Sequence, residues 1–66
     1  MSKFLYKFIF RNADGLIRVW NDNNLLATIA TGKLKMENKE IISTCVKWLE
    51  ENKLPNVEYK VYIELY

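Results

Sequence analysis

One stretch limits what the rest of the chain can build. Glu37 to Lys53 carries the only strong helical period in the sequence. At about 100° per residue, Ile41, Ile42, Cys45, Val46, Trp48 and Leu49 fall within an arc of roughly 160°. Lys39, Glu40, Ser43, Lys47, Glu50 and Glu51 occupy the remainder. A helix with one apolar stripe and a solvated back covers one surface. The other strong signals are strands, and a sheet has two faces. One face is left over.

The first strand signal, Phe4 to Phe10, shows why this matters. Alternation places Phe4, Tyr6, Phe8 and Phe10 on one side and Leu5, Lys7, Ile9 and Arg11 on the other. A strand apolar on both sides belongs in the middle of a sheet covered on both faces. Asn12-Ala13-Asp14-Gly15 then signals a turn, with asparagine first and glycine last. Leu16 to Trp20 is the second strand. A three-residue loop with a glycine bulge puts Phe8 opposite Trp20 and Phe10 opposite Arg18. A two-residue Asp-Gly loop instead sets Phe10 against Val19 and Ile9 against Trp20. A slip of one residue swaps the faces. The bulged form is preferred, because it gives Asn12 a capping role in the turn.

Asn21-Asp22-Asn23-Asn24 is a second turn of short polar residues. Leu25 to Thr31 forms a thinner third strand, suited to an edge, with Leu25, Ala27 and Ile29 on one face. Gly32 ends it. Lys33 to Met36 leads into the helix, where Asn38 is the expected N-cap and Glu40 lies in the first turn. A start as early as Leu34 would also fit the stripe. Pro55 stops the helix. Val57 to Tyr66 alternates cleanly, with Val57, Tyr59, Val61, Ile63 and Leu65 inward and Glu58, Lys60, Tyr62, Glu64 and Tyr66 outward.

The order strand, strand, strand, helix, strand makes the fourth strand parallel to the first and places it beside it. The expected fold is α+β: a four-stranded mixed sheet of order 3-2-1-4 with one helix packed on one face, a single small domain over residues 1–66.

Sixty-six residues bury only about 60% of their unfolded surface, and such a domain is marginal alone. Cys45 is the single cysteine and there is no histidine, so neither an internal disulfide nor a zinc site is available. Oligomerisation or partner binding is the remaining remedy. No cofactor is implied. The basic, then apolar, opening is like the start of a signal peptide, but Lys7 interrupts a short run and no small-residue cleavage site follows. It reads as a strand, and the expected setting is cytoplasmic and reduced.

Candidate chemistry is sparse. Cys45, at the centre of the stripe with no histidine to activate it, reads as a small buried hydrophobe. Ser43 and Thr44 also lack a base. Glu50 and Glu51, in reach of Lys47, read as solvation. Lys33, Lys35 and Lys39 surround the helix start and offer an anion contact, although the loop lacks the spaced glycines of a phosphate cradle. Three strands followed by a helix led by these lysines are similar in element order to the second half of a double-stranded-RNA-binding domain. That likeness runs from residue 3 to residue 53; the family has a helix ahead of the first strand and a denser lysine cluster.

The leftover face carries the functional expectation. In the preferred register it comprises Phe4, Tyr6, Phe8, Phe10, Arg18, Trp20, Tyr62 and Tyr66. An aromatic and basic patch of this kind marks an interaction surface. The expected function is non-enzymatic protein binding, homodimerisation included. A small chain without catalytic residues would suit a phage or mobile-element inhibitor or accessory protein. Two alternatives stand beside it. One is single-stranded nucleic-acid binding, with bases on Tyr6, Phe8, Phe10 or Trp20 and phosphates near Lys7, Arg11, Arg18 and Lys60. A net charge of +2 is low for that. The other is a small-ligand, nucleotide-type sponge at a dimer seam.

Overall fold

A computed structural model describes residues 5–54 and 57–65. Its elements are β1 (Leu5–Arg11), β2 (Leu16–Asn21), β3 (Asn24–Ala30), α1 (Asn38–Glu51) and β4 (Glu58–Glu64). The strands form one mixed sheet of order β3-β2-β1-β4, with β1–β2 and β2–β3 antiparallel and β1–β4 parallel. The α+β class, the strand order and the single helix are as the sequence led us to expect. β3 is an edge strand, as its thin composition implied.

The hairpin register differs from both expected forms. Phe8 lies opposite Val19, Phe10 opposite Ile17 and Ile9 opposite Arg18. All four residues Asn12 to Gly15 form the connection, because Arg11 still pairs with Leu16. Gly15 N–H donates to the Arg11 carbonyl at 2.8 Å, and Leu16 N–H donates to the Asp14 carboxylate at 3.0 Å. Asp14 therefore organises the end of the turn through its carboxylate. The register is displaced by one from the preferred form, and this reverses which face of β2 joins the aromatic face of β1.

The reversal has a burial cause. Tyr6, Phe8 and Phe10 are joined by Ile17 and Val19, and all five are buried with Ile41, Cys45 and Leu49 of α1. The alternative face of β1 carries Lys7 and Arg11, whose charges would be costly beneath a helix. Pairing the two apolar faces puts Arg18 on the same side as those charges. Ala27, Ile29, Trp48 and Val61 pack around this core.

Helix boundaries also shift. The N-cap is Glu37, not Asn38. Glu37 carbonyl accepts Ile41 N–H at 3.1 Å, and the Glu40 carboxylate accepts Glu37 N–H at 3.3 Å. With Asn38 as cap, the residue three further on would be Ile41, which has no acceptor to return. At the other end the helix finishes at Glu51, short of the expected Lys53. Lys53 takes a left-handed φ of 60°, its N–H meets the Glu50 carbonyl at 3.1 Å, and Leu54 N–H meets the Leu49 carbonyl at 2.8 Å. This is a Schellman closure, with Leu54 folded back onto the core. Pro55, the expected stop, lies outside the described residues.

The helix stripe is narrower than the wheel implied. Ile41, Cys45 and Leu49 are buried, Val46 and Trp48 are half-buried, and Ile42 is exposed. Among the described residues, no helix is long and apolar enough to cross a membrane.

Candidate functional site: the open sheet face

Residues paired across a sheet share a face, so the register places the side chains of the uncovered face. Two rows matter. In one, Trp20 of β2, Lys7 of β1 and Lys60 of β4 stand side by side. In the next, Thr28 of β3, Arg18, Ile9 and Tyr62 cross all four strands. Leu5 and Leu16 lie at opposite ends of the same face. Tyr62 is 44% exposed, while Ile9, Arg18 and Trp20 are half-buried by their neighbours.

The charges on this face are unevenly satisfied. Arg18 Nη2 contacts the Asp14 carboxylate at 2.9 Å, which holds the Asp14 carboxyl below its ordinary range, helped by the Leu16 N–H. Arg18 Nη1 is shielded from water with no hydrogen-bond partner among the described residues. Arg11 Nε meets Glu64 Oε1 at 2.7 Å. Lys7 and Lys60, directly adjacent in the parallel register, make no ion pair among the described residues. Like charges in facing positions repel, so this pair is a standing local excess of positive charge.

Of the residues the sequence singled out, Arg18, Trp20 and Tyr62 come together on this face. Tyr6, Phe8 and Phe10 do not: they are in the core beneath α1. Phe4 and Tyr66 lie outside the described residues. In place of the phenylalanines the face contains Ile9 and Lys7, beside Lys60, which alternation had already set with Tyr62. The signal for this was present in β1, where Lys7 and Arg11 alternate with Leu5 and Ile9. The side bearing two charges is the poorer candidate for burial.

The lysines at the helix start are separated in role. Lys33 Nζ pairs with Glu40 Oε2 at 2.8 Å, so its charge is matched locally. That contact raises the Lys33 ammonium and lowers the Glu40 carboxyl from their ordinary values. Lys39 is exposed in the first turn of the helix. Lys35 borders an open groove of about 500 Å³, whose walls include Phe10, Leu34, Met36, Ile63 and Leu65.

Cys45 is fully buried, and desolvation pushes its thiol up to about 12. A thiol so placed stays protonated and out of contact with reagents. Thr44 Oγ1 donates to the Glu40 carbonyl one turn back at 2.8 Å. Neither has a general base beside it among the described residues.

Comparison with protein-family models, with curated proteins and with solved structures finds no match for this chain.

Proposed function

We propose that the chain is a non-enzymatic binding protein that docks a protein partner on its open sheet face. The observation supporting this is the Trp20–Lys7–Lys60 row beside Ile9 and Tyr62: a flat apolar and aromatic surface bordered by unmatched positive charge. Trp, Tyr and Arg dominate binding hot spots, because they bury large areas with few rotors and keep a polar handle. The complementary partner surface is apolar at its centre, with carboxylates placed to meet Lys7 and Lys60. An inhibitor or accessory role, of the kind mobile elements encode, fits such a module.

The test is quantitative affinity capture by the wild-type chain, by Trp20→Ser and by Lys7→Glu, each shown to melt like the wild type. A protein retained stoichiometrically by the wild type and lost by both variants is the expected result. An identical captured set for all three would sink the reading.

Single-stranded nucleic acid is the second reading, favoured by Arg18, Lys7 and Lys60 standing around Trp20 and Tyr62. Stacking contributes about 1–3 kcal/mol per base. Titration with short oligonucleotides at low salt separates the two, since base stacking on Trp20 quenches its fluorescence. Unchanged emission removes nucleic acid.

A further inference from the structure

β4 has an inner and an outer edge, and only the inner one is paired among the described residues. Asn12 N–H donates to the Glu64 carbonyl at 3.2 Å, so the backbone groups of Glu64 turn toward β1. By alternation those of Glu58, Lys60 and Tyr62 do the same, and those of Tyr59, Val61 and Ile63 point outward. Natural edge strands are blunted by bulges, prolines or brevity. The opposite edge, β3, has such a device: its pairing with β2 shifts register between Val19 and Trp20. β4 runs seven residues, Glu58 to Glu64, in unbroken register. Tyr59, Tyr62, Ile63 and Leu65 are all exposed along or just beyond it, Leu65 at 76%.

The geometry points to a second copy of this chain pairing antiparallel along the outer edge of β4, about a two-fold axis through Tyr62, to make one eight-stranded sheet. Charge and strand overlap together select that axis. In a continuous sheet, facing residues share a face, so the axis must pass through a residue position. Through Lys60 it would set Lys60 against Lys60, and through Val61 it would set Glu58 against Glu64. Through Ile63 it would set Glu64 against Tyr62 and carry Lys60 past the end of the described strand. Through Tyr59 it would set Lys60 against Glu58, but only Glu58 to Lys60 of the strand would pair, against Lys60 to Glu64 for the axis through Tyr62. Through Tyr62, each Lys60 faces Glu64 of the second copy, twice over. Glu64 already receives Arg11, and a carboxylate accepts from two cations at once. The same axis sets Val61 against Ile63 and Tyr59 against Leu65 on the helix side. It thereby covers side chains that the monomer leaves exposed, and their outward backbone groups gain partners.

This inference shares Lys60 with the open face, since the dimer matches that charge with Glu64 of the second copy and leaves Lys7 for a docked partner. The experiment separates the two. Molecular mass is measured by light scattering up to high micromolar concentration for the wild type, Lys60→Glu, Glu64→Lys and their equimolar mixture. The wild type is expected to dimerise. Each single variant turns both charge pairs repulsive and should weaken association by about tenfold. In the mixture every facing pair is again opposite in sign, so dimer returns as a heterodimer. Its return also shows that both variants are folded. Trp20→Ser, two strands away on β2, should keep the dimer. A monomeric wild type, or variants that associate as the wild type does, would overturn the proposal. So would a mixture no tighter than its components. Loss of dimer in Trp20→Ser with Lys60→Glu unaffected would mean face-to-face association, and would overturn it too.

Discussion

Phe8 and Trp48 meet edge to face, with ring centroids 5.9 Å apart and planes at 77°. Phe8 is fully buried at the centre of the sheet, between Val19 of β2 and Val61 of β4, and Tyr59 approaches it at 6.0 Å from another side. This contact holds the helix over the middle of the sheet. Truncating a buried phenylalanine costs about 3–5 kcal/mol. A domain of this size has little more than that in total. Phe8→Ala should therefore be largely unfolded by circular dichroism. Ile9→Ser, on the opposite face of the same strand, should cost less and remain folded. The milder Phe8→Leu and Trp48→Leu allow a double-mutant cycle, with an expected coupling of about 0.5–1.5 kcal/mol. Zero coupling would mean that the rings fill space without a specific geometry.

Gly15 meets two demands at once. Its φ is 68°, and a Cβ there would collide with the Lys33 backbone carbonyl. Thr31 Oγ1 ties the same two segments together, donating to the Gly15 carbonyl. Gly32 has a similar φ of 74° but open space where its Cβ would lie. Gly32→Ala should cost about 1 kcal/mol from the left-handed backbone alone. Gly15→Ala should cost clearly more, because backbone atoms must move. Equal losses in urea denaturation would show that the β1–β2 turn and the Lys33 segment do not press on each other.

Lys53 holds the left-handed position of the helix C-terminus, a place that glycine takes without a Cβ penalty. Lys53→Gly should stabilise the protein by about 0.5–1 kcal/mol, less the extra entropy glycine gains when unfolded. For a domain this small that is a rise of a few degrees, since about 1 kcal/mol moves Tm by 4–8 °C. A fall in Tm would mean that Lys53 makes a contact that outweighs its strained backbone.

Two ion pairs set opposite pH limits. Asp14 is held below its ordinary 3.8, chiefly by the Arg18 hydrogen bond. A carboxyl depressed in the folded state adds stability above its unfolded pKa, and that increment disappears as pH falls through the folded value. Asp14→Asn should therefore flatten the acid limb of the Tm–pH curve below about pH 4. Lys33 is raised above its ordinary 10.5 by Glu40. Its contribution is complete below that value and is lost as pH rises through the folded one. Glu40→Gln should shrink the alkaline limb. An Asp14→Asn curve superimposable on the wild type from pH 2 to 7 would show that the turn contact does not form in solution.

Much of the architecture was legible in the chain. The period of Ile41, Cys45 and Leu49 specifies a one-sided helix. Alternation specifies the strands, and the helix between the third and fourth makes β4 parallel to β1. These follow from local geometry and from the need to bury apolar faces, both carried by residues close in sequence. That a single helix leaves one sheet face open is equally a property of the sequence. Which side chains occupy that face is not. The choice hangs on one residue of slip in the β1–β2 hairpin, and two-, three- and four-residue connections are all compatible with Asn12-Ala13-Asp14-Gly15. Only the assembled sheet decides between them, because the deciding quantity is non-local. Phe8 and Phe10 gain Ile17 and Val19 as neighbours beneath Ile41 and Leu49, while Lys7, Arg11 and Arg18 are kept together on the opposite face. The same global sum moved Tyr6, Phe8 and Phe10 out of the candidate site and brought Ile9 and Lys7 into it, beside the Lys60 that alternation had already set with Tyr62.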